Sequence, residues 1–227
     1  MVIYWLSCLF FFVFIDKVVV ILFSWEAKKF KMLNSFIITP EYFILPETGK
    51  VVRESGIEDR YIRAFEKVDA HFSINKDDNS DGVVRYCNED NKILFYGIQE
   101  CKVHSRRGSI MERLVQSLAY VYDWINPKPE LKPKFKFVHL PTEKESVIVY
   151  LDNLFGSMFW TEFTFYYELH KSKKGCSASN FYKNSADVRA LISDYISRFR
   201  ISCYDINNEL DFKEVISEIL NNCLWML

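Results

Sequence analysis

The sequence predicts an α/β fold in which a mixed central sheet is flanked by helices. Two patterns carry this prediction: a β-hairpin followed at once by a capped helix, and alternating strand-like and helix-like apolar segments further along the chain. With 227 residues, 49% of them hydrophobic, and only seven Gly and six Pro, the chain has enough apolar side chains for one elaborated domain.

The hairpin is the clearest local signal. Residues 82–87 and 93–98 are rich in β-branched and aromatic side chains, and the polar tetrad 88–91 between them consists of turn formers. Antiparallel pairing of the two segments brings the start of the first strand beside the end of the second. Asp81 is therefore expected close to Glu100, although the two are far apart in the chain.

Three consecutive residues end the second strand of the hairpin: Glu100, Cys101 and Lys102. Because successive side chains of a strand point to opposite faces, Glu100 and Lys102 should share one face of the sheet. Cys101 should point to the other face and pack in the core. Asp81, Glu100 and Lys102 are therefore predicted to form an acid–lysine cluster at one end of the hairpin.

A helix is predicted directly after the hairpin. Ser109 and Glu112 have the spacing of a capping box, and Pro127 marks the end of the helix. Its apolar face carries four residues at helical spacing: Leu114, Leu118, Val121 and Ile125. A second stripe carries three polar residues: Arg113, Gln116 and Tyr120. The first turns of this helix can lie over the two carboxylates.

At these residues the chain resembles the PD-(D/E)xK nuclease superfamily, which has the restriction-endonuclease-like fold. The family pattern is a helix with a Glu, a strand with an Asp, a strand ending in (D/E)-x-K, and a helix that often carries a Gln. The matching residues of this chain are Glu58, Asp81, Glu100, Lys102 and Gln116. The resemblance covers residues 56–140 and implies a core with the order α-β-β-β-α-β and a DNA endonuclease activity.

The resemblance also implies a metal site. Asp81, Glu100 and the backbone carbonyl of Cys101 would bind Mg²⁺ or Mn²⁺, which offsets negative charge on the phosphate and lowers the pKa of a bound water. Lys102 would orient or deprotonate that water, and Gln116 would hold the water or a phosphate oxygen.

Two positions depart from the family pattern or leave a choice open. Ser80 stands where the family often has Pro. Glu58 would support the metal or an ordered water, but Glu66 on the same predicted helix is a rival for that position. An ordinary acidic residue near a helix N-terminus, favoured by the helix dipole, is the alternative interpretation of Glu58.

The (D/E)-x-K tripeptide is by itself a weak signal. The chain contains four matches, at Glu26, Asp90, Glu100 and Asp211, and only the match at Glu100 ends a strand with all the neighbouring elements in order. The alternative is a surface hairpin with a solvated acid and lysine.

Charge gives a local rather than a global hint of a nucleic-acid partner. The formal net charge is −1 at pH 7, which provides no overall attraction to DNA. Basic residues near the motif and after its helix are the predicted DNA contacts: Arg106, Arg107, Arg113, Lys132, Lys134 and Lys136. The sequence does not distinguish DNA from RNA, or a monomer from a homodimer.

Six Cys residues are scattered through the chain without zinc-ligand spacing, so reduced thiols in a cytoplasmic protein are expected. Residues 1–25 are nearly all apolar, but Asp16 and Lys17 interrupt them, which disfavours a membrane span. Three interpretations of residues 1–31 remain: a buried segment, an over-extended start with Met32 as the true first residue, or a membrane anchor. The last would make the chain a tethered interaction protein.

The rest of residues 32–227 is assigned to the same single domain. Strands are predicted at residues 135–140 and 147–151, an aromatic strand or strand pair at 158–169, a loop at 171–183, and helices at 186–199 and 212–224.

Overall fold

The structure is a computed structural model that describes residues 53–75, 80–103, 108–207 and 209–227. The predictions for residues 1–31, Arg106 and Arg107 lie outside these ranges. Within them, none of the helices combines the length and the apolar character needed to cross a membrane.

The described residues form six α-helices and six β-strands. The helices are α1 (Glu54–Val68), α2 (Ile110–Ile125), α3 (Met158–Lys171), α4 (Ala178–Asn184), α5 (Ala186–Tyr195) and α6 (Glu209–Trp225). The strands are β1 (Phe72–Asn75), β2 (Gly82–Cys87), β3 (Ile93–Gln99), β4 (Phe135–Pro141), β5 (Glu145–Tyr150) and β6 (Arg200–Asp205).

The six strands form one mixed sheet in the order β1-β2-β3-β4-β5-β6. All neighbours are antiparallel except β3 and β4, which are parallel. A parallel pair needs a crossover connection, and α2 supplies it. The predicted α/β class with a mixed sheet is thereby confirmed, as is the hairpin of β2 and β3, in which Gly82 pairs with Gln99.

Helices cover both faces of the sheet. The core on one face is formed by α1 and α6 with the side chains of alternate strand residues, among them Phe95, Phe137 and Tyr150. On the other face α2 packs against β3 and β4, and α3, α4 and α5 pack around α2. Gly97 is needed on the first face, because a Cβ atom there would overlap the ring of Phe137 on the neighbouring strand.

The Ser109 half of the capping box predicted for α2 is confirmed, while the Glu112 carboxylate forms an ion pair with Lys183. The Ser109 hydroxyl accepts a hydrogen bond from the backbone N–H of Glu112, and the helix ends at Ile125, two residues before Pro127. The cap determines where α2 begins and hence which of its side chains reach the end of β3.

The prediction of an aromatic strand at residues 158–169 is wrong, because this segment is helix α3. The Ser157 side chain caps it by accepting a hydrogen bond from the N–H of Trp160. Its buried residues Phe159, Phe163 and Tyr167 follow one another at intervals of four, which is the spacing of one helix face. The exposed aromatic residues between them made this spacing hard to recognise in the sequence.

Two further segments differ from the sequence-based expectation. The predicted loop at residues 171–183 contains most of α4. The predicted helix at residues 186–199 ends as an α-helix at Tyr195, and the strand β6 that follows it was not predicted. The other downstream predictions are confirmed: β4, β5 and α6 lie at the expected positions.

Candidate active site at the end of the hairpin

Three elements bring the acid–lysine cluster together. Asp81 immediately precedes β2, while Glu100 and Lys102 follow β3 and continue its pairing with β4. The N–H of Glu100 donates to the carbonyl of His139, and the N–H of Lys102 donates to the carbonyl of Pro141. These bonds hold the motif extended, so that its side chains keep alternating between the faces.

The Lys102 ammonium lies among three carboxylates. Its Nζ is 2.8 Å from Glu100 Oε1, 2.7 Å from Glu54 Oε1 and 3.8 Å from Asp81 Oδ2. Asp81 Oδ2 also accepts a hydrogen bond from the N–H of Cys101 at 2.6 Å, which ties the start of β2 to the end of β3. Asp81, Glu100 and Lys102 are therefore neighbours, as the hairpin register predicts.

Gln116 completes the cluster from helix α2. Its side-chain amide donates to Glu100 Oε1 at 2.8 Å and to the Tyr120 hydroxyl oxygen at 2.8 Å. With both contacts made by the NH₂ group, the orientation of the amide is defined, and so is the rotamer of the Glu100 carboxylate that it contacts. The sequence-predicted polar stripe of α2 thus reaches the site through Gln116 and Tyr120.

Burial and like charge make Glu100 a weak acid. Only 2% of the residue is exposed, and burial, followed by the negative charge of Asp81, raises the pKa of Glu100 to about 7. Burial also raises the pKa of Asp81, with Lys102 opposing and Glu54 and Glu58 adding to the shift. Two carboxyl groups with raised pKa values therefore lie side by side at this site. A bound cation would offset their repulsion and favour their ionised forms.

Lys102 is held in its charged form. Burial alone would lower the pKa of Lys102, but the contacts with Glu100, Glu54 and Asp81 outweigh it and raise that pKa above its usual range. At neutral pH the ammonium is therefore protonated and acts as a hydrogen-bond donor and positive charge.

Helix α1 contributes two acids, one of which sequence analysis missed. Glu58 is buried, and its charge adds to the raised pKa of Asp81. Glu54, one turn earlier on the same helix, forms the ion pair with Lys102. The rival Glu66 is exposed two turns further from this end of the helix. The i, i+4 spacing of Glu54 and Glu58 is the signal that could have identified Glu54 from sequence.

Arg113 does not have the predicted role in nucleic-acid binding. It is 4% exposed, and its guanidinium donates to the carbonyls of Glu100 at 2.7 Å and Pro141 at 2.9 Å. Arg113 thus joins α2 to the adjacent ends of β3 and β4. Its contribution is to hold the strand ends that carry the motif.

Replacing Arg113 with Met is expected to destabilise the fold by about 2–4 kcal/mol, because two buried carbonyls lose charge-assisted hydrogen bonds. Urea unfolding followed by circular dichroism measures the change. Arg189 is a matched control, since it also donates to two carbonyls but is exposed. Arg189→Met should change stability by less than about 1 kcal/mol. Equal losses in both variants would contradict the assigned role of Arg113.

In the predicted lysine cluster, Lys132 and Lys134 precede β4, and Lys136 is the second residue of that strand. Lys134 Nζ donates to the carbonyl of Ile93, the first residue of β3, and Lys136 Nζ donates to the carbonyl of Met226. The motif ends β3, and at about 3.3 Å per residue the two ends of that strand are roughly 20 Å apart. Lys134 therefore does not flank the site, whereas Lys136 lies beside the middle of β3, between the pairs Phe135–Tyr96 and Phe137–Gly97. The role of Lys132, Lys134 and Lys136 as DNA contacts stays a prediction.

Cys101 faces away from the site, as the alternation predicts. It is fully buried, belongs to the core between the sheet and α1, and its Sγ accepts a hydrogen bond from Gln99 at 3.4 Å. His139 lies on the same face, where burial lowers its pKa to about 3 and its ring contacts Gln99 and Ser146. This neutral polar network supports the strand ends from behind.

Cys101→Ala is expected to cost about 1–3 kcal/mol of stability as a modest core truncation. The cleavage activity that the resemblance implies should stay nearly unchanged per folded molecule, because the thiol and the acid–lysine cluster lie on opposite faces. Thermal unfolding and a cleavage assay on the same preparation measure both quantities. An activity loss as large as that of Glu100→Ala would contradict this placement.

The carboxylates at the site fit a hard divalent cation in chemistry. Among the described residues, no group of three or more His, Cys, Asp or Glu side chains is arranged to hold a metal ion. The position between the carboxylates is taken by the Lys102 ammonium. The carboxylate oxygens of Asp81 and Glu100 are nevertheless the ligands that Mg²⁺ and Mn²⁺ prefer.

The fold and the site define an α/β protein with a partly buried acid–lysine cluster at the end of a central hairpin. Comparison with protein-family models, with curated proteins and with solved structures finds no match to this chain.

Proposed function

We propose that the protein is a metal-dependent endonuclease of the PD-(D/E)xK type that hydrolyses phosphodiester bonds in DNA. One observation carries the proposal: Lys102 Nζ lies within 3.8 Å of both Asp81 and Glu100, and Gln116 bonds to Glu100. Four residues from three parts of the family pattern, namely the Asp strand, the (D/E)-x-K strand and the Gln helix, thus converge on one point.

The order of the elements supports the same proposal. From α1 to β4 the chain follows α-β-β-β-α-β, with the three-stranded antiparallel part joined to β4 in parallel through α2. This is the order that the resemblance implies for a restriction-endonuclease-like core. Asp81, Glu100 and Lys102 lie at one end of the sheet and Gln116 lies over them.

In this proposal Asp81 and Glu100 hold Mg²⁺ or Mn²⁺, with the Cys101 carbonyl as a further predicted ligand. The bound ion would offset charge on the phosphate and lower the pKa of a water. Gln116 keeps the Glu100 carboxylate in one rotamer, so less freedom is lost on binding. Glu58 adds negative charge beside Asp81 and thereby favours the cation.

Lys102 acts as a charged donor rather than as a base. In the metal-free site the neighbouring carboxylates raise the pKa of Lys102 and keep it protonated at neutral pH. A protonated Lys102 can orient the attacking water or stabilise the negative charge of the transition state. The bound metal would lower the pKa of the water, and the proton of that water would then pass to solvent.

Incubating the purified chain with supercoiled plasmid, with Mg²⁺ and with excess EDTA, tests the proposal. Cleavage is expected only with the metal, and Glu100→Ala and Lys102→Ala should abolish it while DNA binding in a mobility-shift assay is retained. A single-stranded RNA substrate run in parallel decides between the two nucleic acids.

The hairpin turn offers a matched control, because Asp90 and Lys92 form a second (D/E)-x-K match that is exposed. Asp90→Ala and Lys92→Ala should leave cleavage unchanged. Cleavage that persists in EDTA or in Glu100→Ala would overturn the proposed mechanism.

A non-catalytic nucleic-acid-binding module of the same fold is the second candidate. The observation that favours it is the Lys102 ammonium in the position between the carboxylates. Binding of DNA without cleavage by the wild type, under every metal condition, would select this alternative.

A further inference from the structure

We propose that Glu54 is a positioning residue that retains the Lys102 ammonium when a divalent cation takes over the carboxylates of Asp81 and Glu100. The inference rests on the proposed function, since it concerns the metal of the same site. It assigns a role to a residue for which the sequence pattern provided none.

The geometry places Glu54 and Glu100 at different depths around the same nitrogen. Lys102 Nζ is 2.7 Å from Glu54 Oε1 and 2.8 Å from Glu100 Oε1, so the ammonium bridges the two acids. The Glu54 side chain is 42% exposed, whereas that of Glu100 is 2% exposed. Glu54 is therefore the outer partner of Lys102, and Glu100 is the inner partner.

A cation on the inner carboxylates competes with the ammonium. Like charges at contact distance repel strongly in a partly buried site, so Lys102 must give up its contact with Glu100 when the metal binds. A Lys side chain that is only 25% exposed and loses its partner would carry an uncompensated charge. Glu54 removes that cost, because the ammonium keeps one ion pair on the outer side.

Helix α1 places Glu54 next to the motif. Glu54 is the first residue of α1, and Ile57 and Tyr61 of the same helix are buried in the core beneath the sheet. The helix end is thereby anchored next to the motif.

Mn²⁺ affinity in a double-mutant cycle tests the role without any cleavage assay. Calorimetric titration would compare the wild type, Glu54→Gln, Lys102→Ala and the double variant. Glu54→Gln should weaken Mn²⁺ binding about tenfold when Lys102 is present, and less than threefold in the Lys102→Ala background. The effect that remains in the Lys102→Ala background is the direct attraction between the Glu54 carboxylate and Mn²⁺.

Asp59→Asn is the control, because Asp59 is an exposed acid on the same helix. The Mn²⁺ affinity of the Asp59→Asn variant should stay within twofold of the wild-type affinity. Thermal unfolding of each variant without metal verifies that it is folded. An equal loss of affinity from Glu54→Gln in both backgrounds would overturn the inference and make Glu54 a metal ligand or a simple charge. If the wild type binds no Mn²⁺, the proposed nuclease mechanism fails, and this inference with it.

Discussion

Glu100→Gln should abolish cleavage and at the same time make the protein more stable at neutral pH. The carboxylate is 2% exposed, and its pKa is raised from the usual 4.5 to about 7, so ionising it inside the fold is unfavourable. This difference in pKa lowers the free energy of unfolding by about 3 kcal/mol above pH 7. An uncharged amide of the same shape avoids that cost and can still accept the hydrogen bond from Gln116.

The pH dependence of this gain follows from the direction of the shift. A carboxyl group with a raised pKa in the folded state contributes stability that is fully present below pH 4.5 and is lost as the pH rises through about 7. Wild type and Glu100→Gln should therefore be equally stable near pH 4 and differ most near pH 8. Urea unfolding at both pH values, in EDTA, measures the difference.

Glu89→Gln serves as the control for Glu100→Gln, since Glu89 is an exposed acid in the turn of the same hairpin. It should change stability by less than about 0.5 kcal/mol. Mg²⁺ should stabilise the wild type but not Glu100→Gln. A Glu100→Gln variant less stable than the wild type at pH 8 would show that the ion pair with Lys102 outweighs the burial of the carboxylate.

The second large effect expected is the dependence of cleavage on metal and pH. Cleavage should require Mg²⁺ or Mn²⁺, be weak with Ca²⁺, whose coordination is looser, and disappear in EDTA. Because Glu100 must lose its proton to bind the ion, the metal affinity should fall about tenfold per pH unit once the pH drops well below its pKa.

Plasmid cleavage between pH 5 and pH 9, at several Mg²⁺ concentrations, checks this dependence. The acid limb should move to lower pH as Mg²⁺ increases, since the metal favours the ionised carboxylate that has a pKa of about 7 without it. An acid limb that does not move with Mg²⁺ would show that some group other than the metal ligands limits the rate.

If both predicted outcomes are measured, the site favours the proposed function over stability. A buried acid with a raised pKa is costly to the fold, and a charge-neutral substitution should relieve that cost. An ordinary surface hairpin, the alternative interpretation of the motif, would show no such gain, because its acid and lysine would be solvated in both the folded and the unfolded state.

What the sequence determined by itself was the local geometry of the motif. Strand alternation places Glu100 and Lys102 on one face and Cys101 on the other, and antiparallel pairing brings Asp81 beside them. The Ser109 cap sets where α2 begins, which brings Gln116 over Glu100. The relations among Asp81, Glu100, Cys101 and Lys102 hold within one hairpin, where residue spacing decides which side chains meet; the contact of Gln116 also needs α2 to pack on the sheet.

Only the tertiary structure decided which other residues share the site. Glu54 pairs with Lys102, Arg113 turns inward, and Lys134 lies at the far end of β3. Each outcome depends on how a helix packs on the sheet or on which end of a strand a segment reaches. The spacing of residues along the chain gives no information on either. The aromatic run of α3 shows the same limit, because Phe and Tyr suit both a strand and a buried helix face until packing selects one.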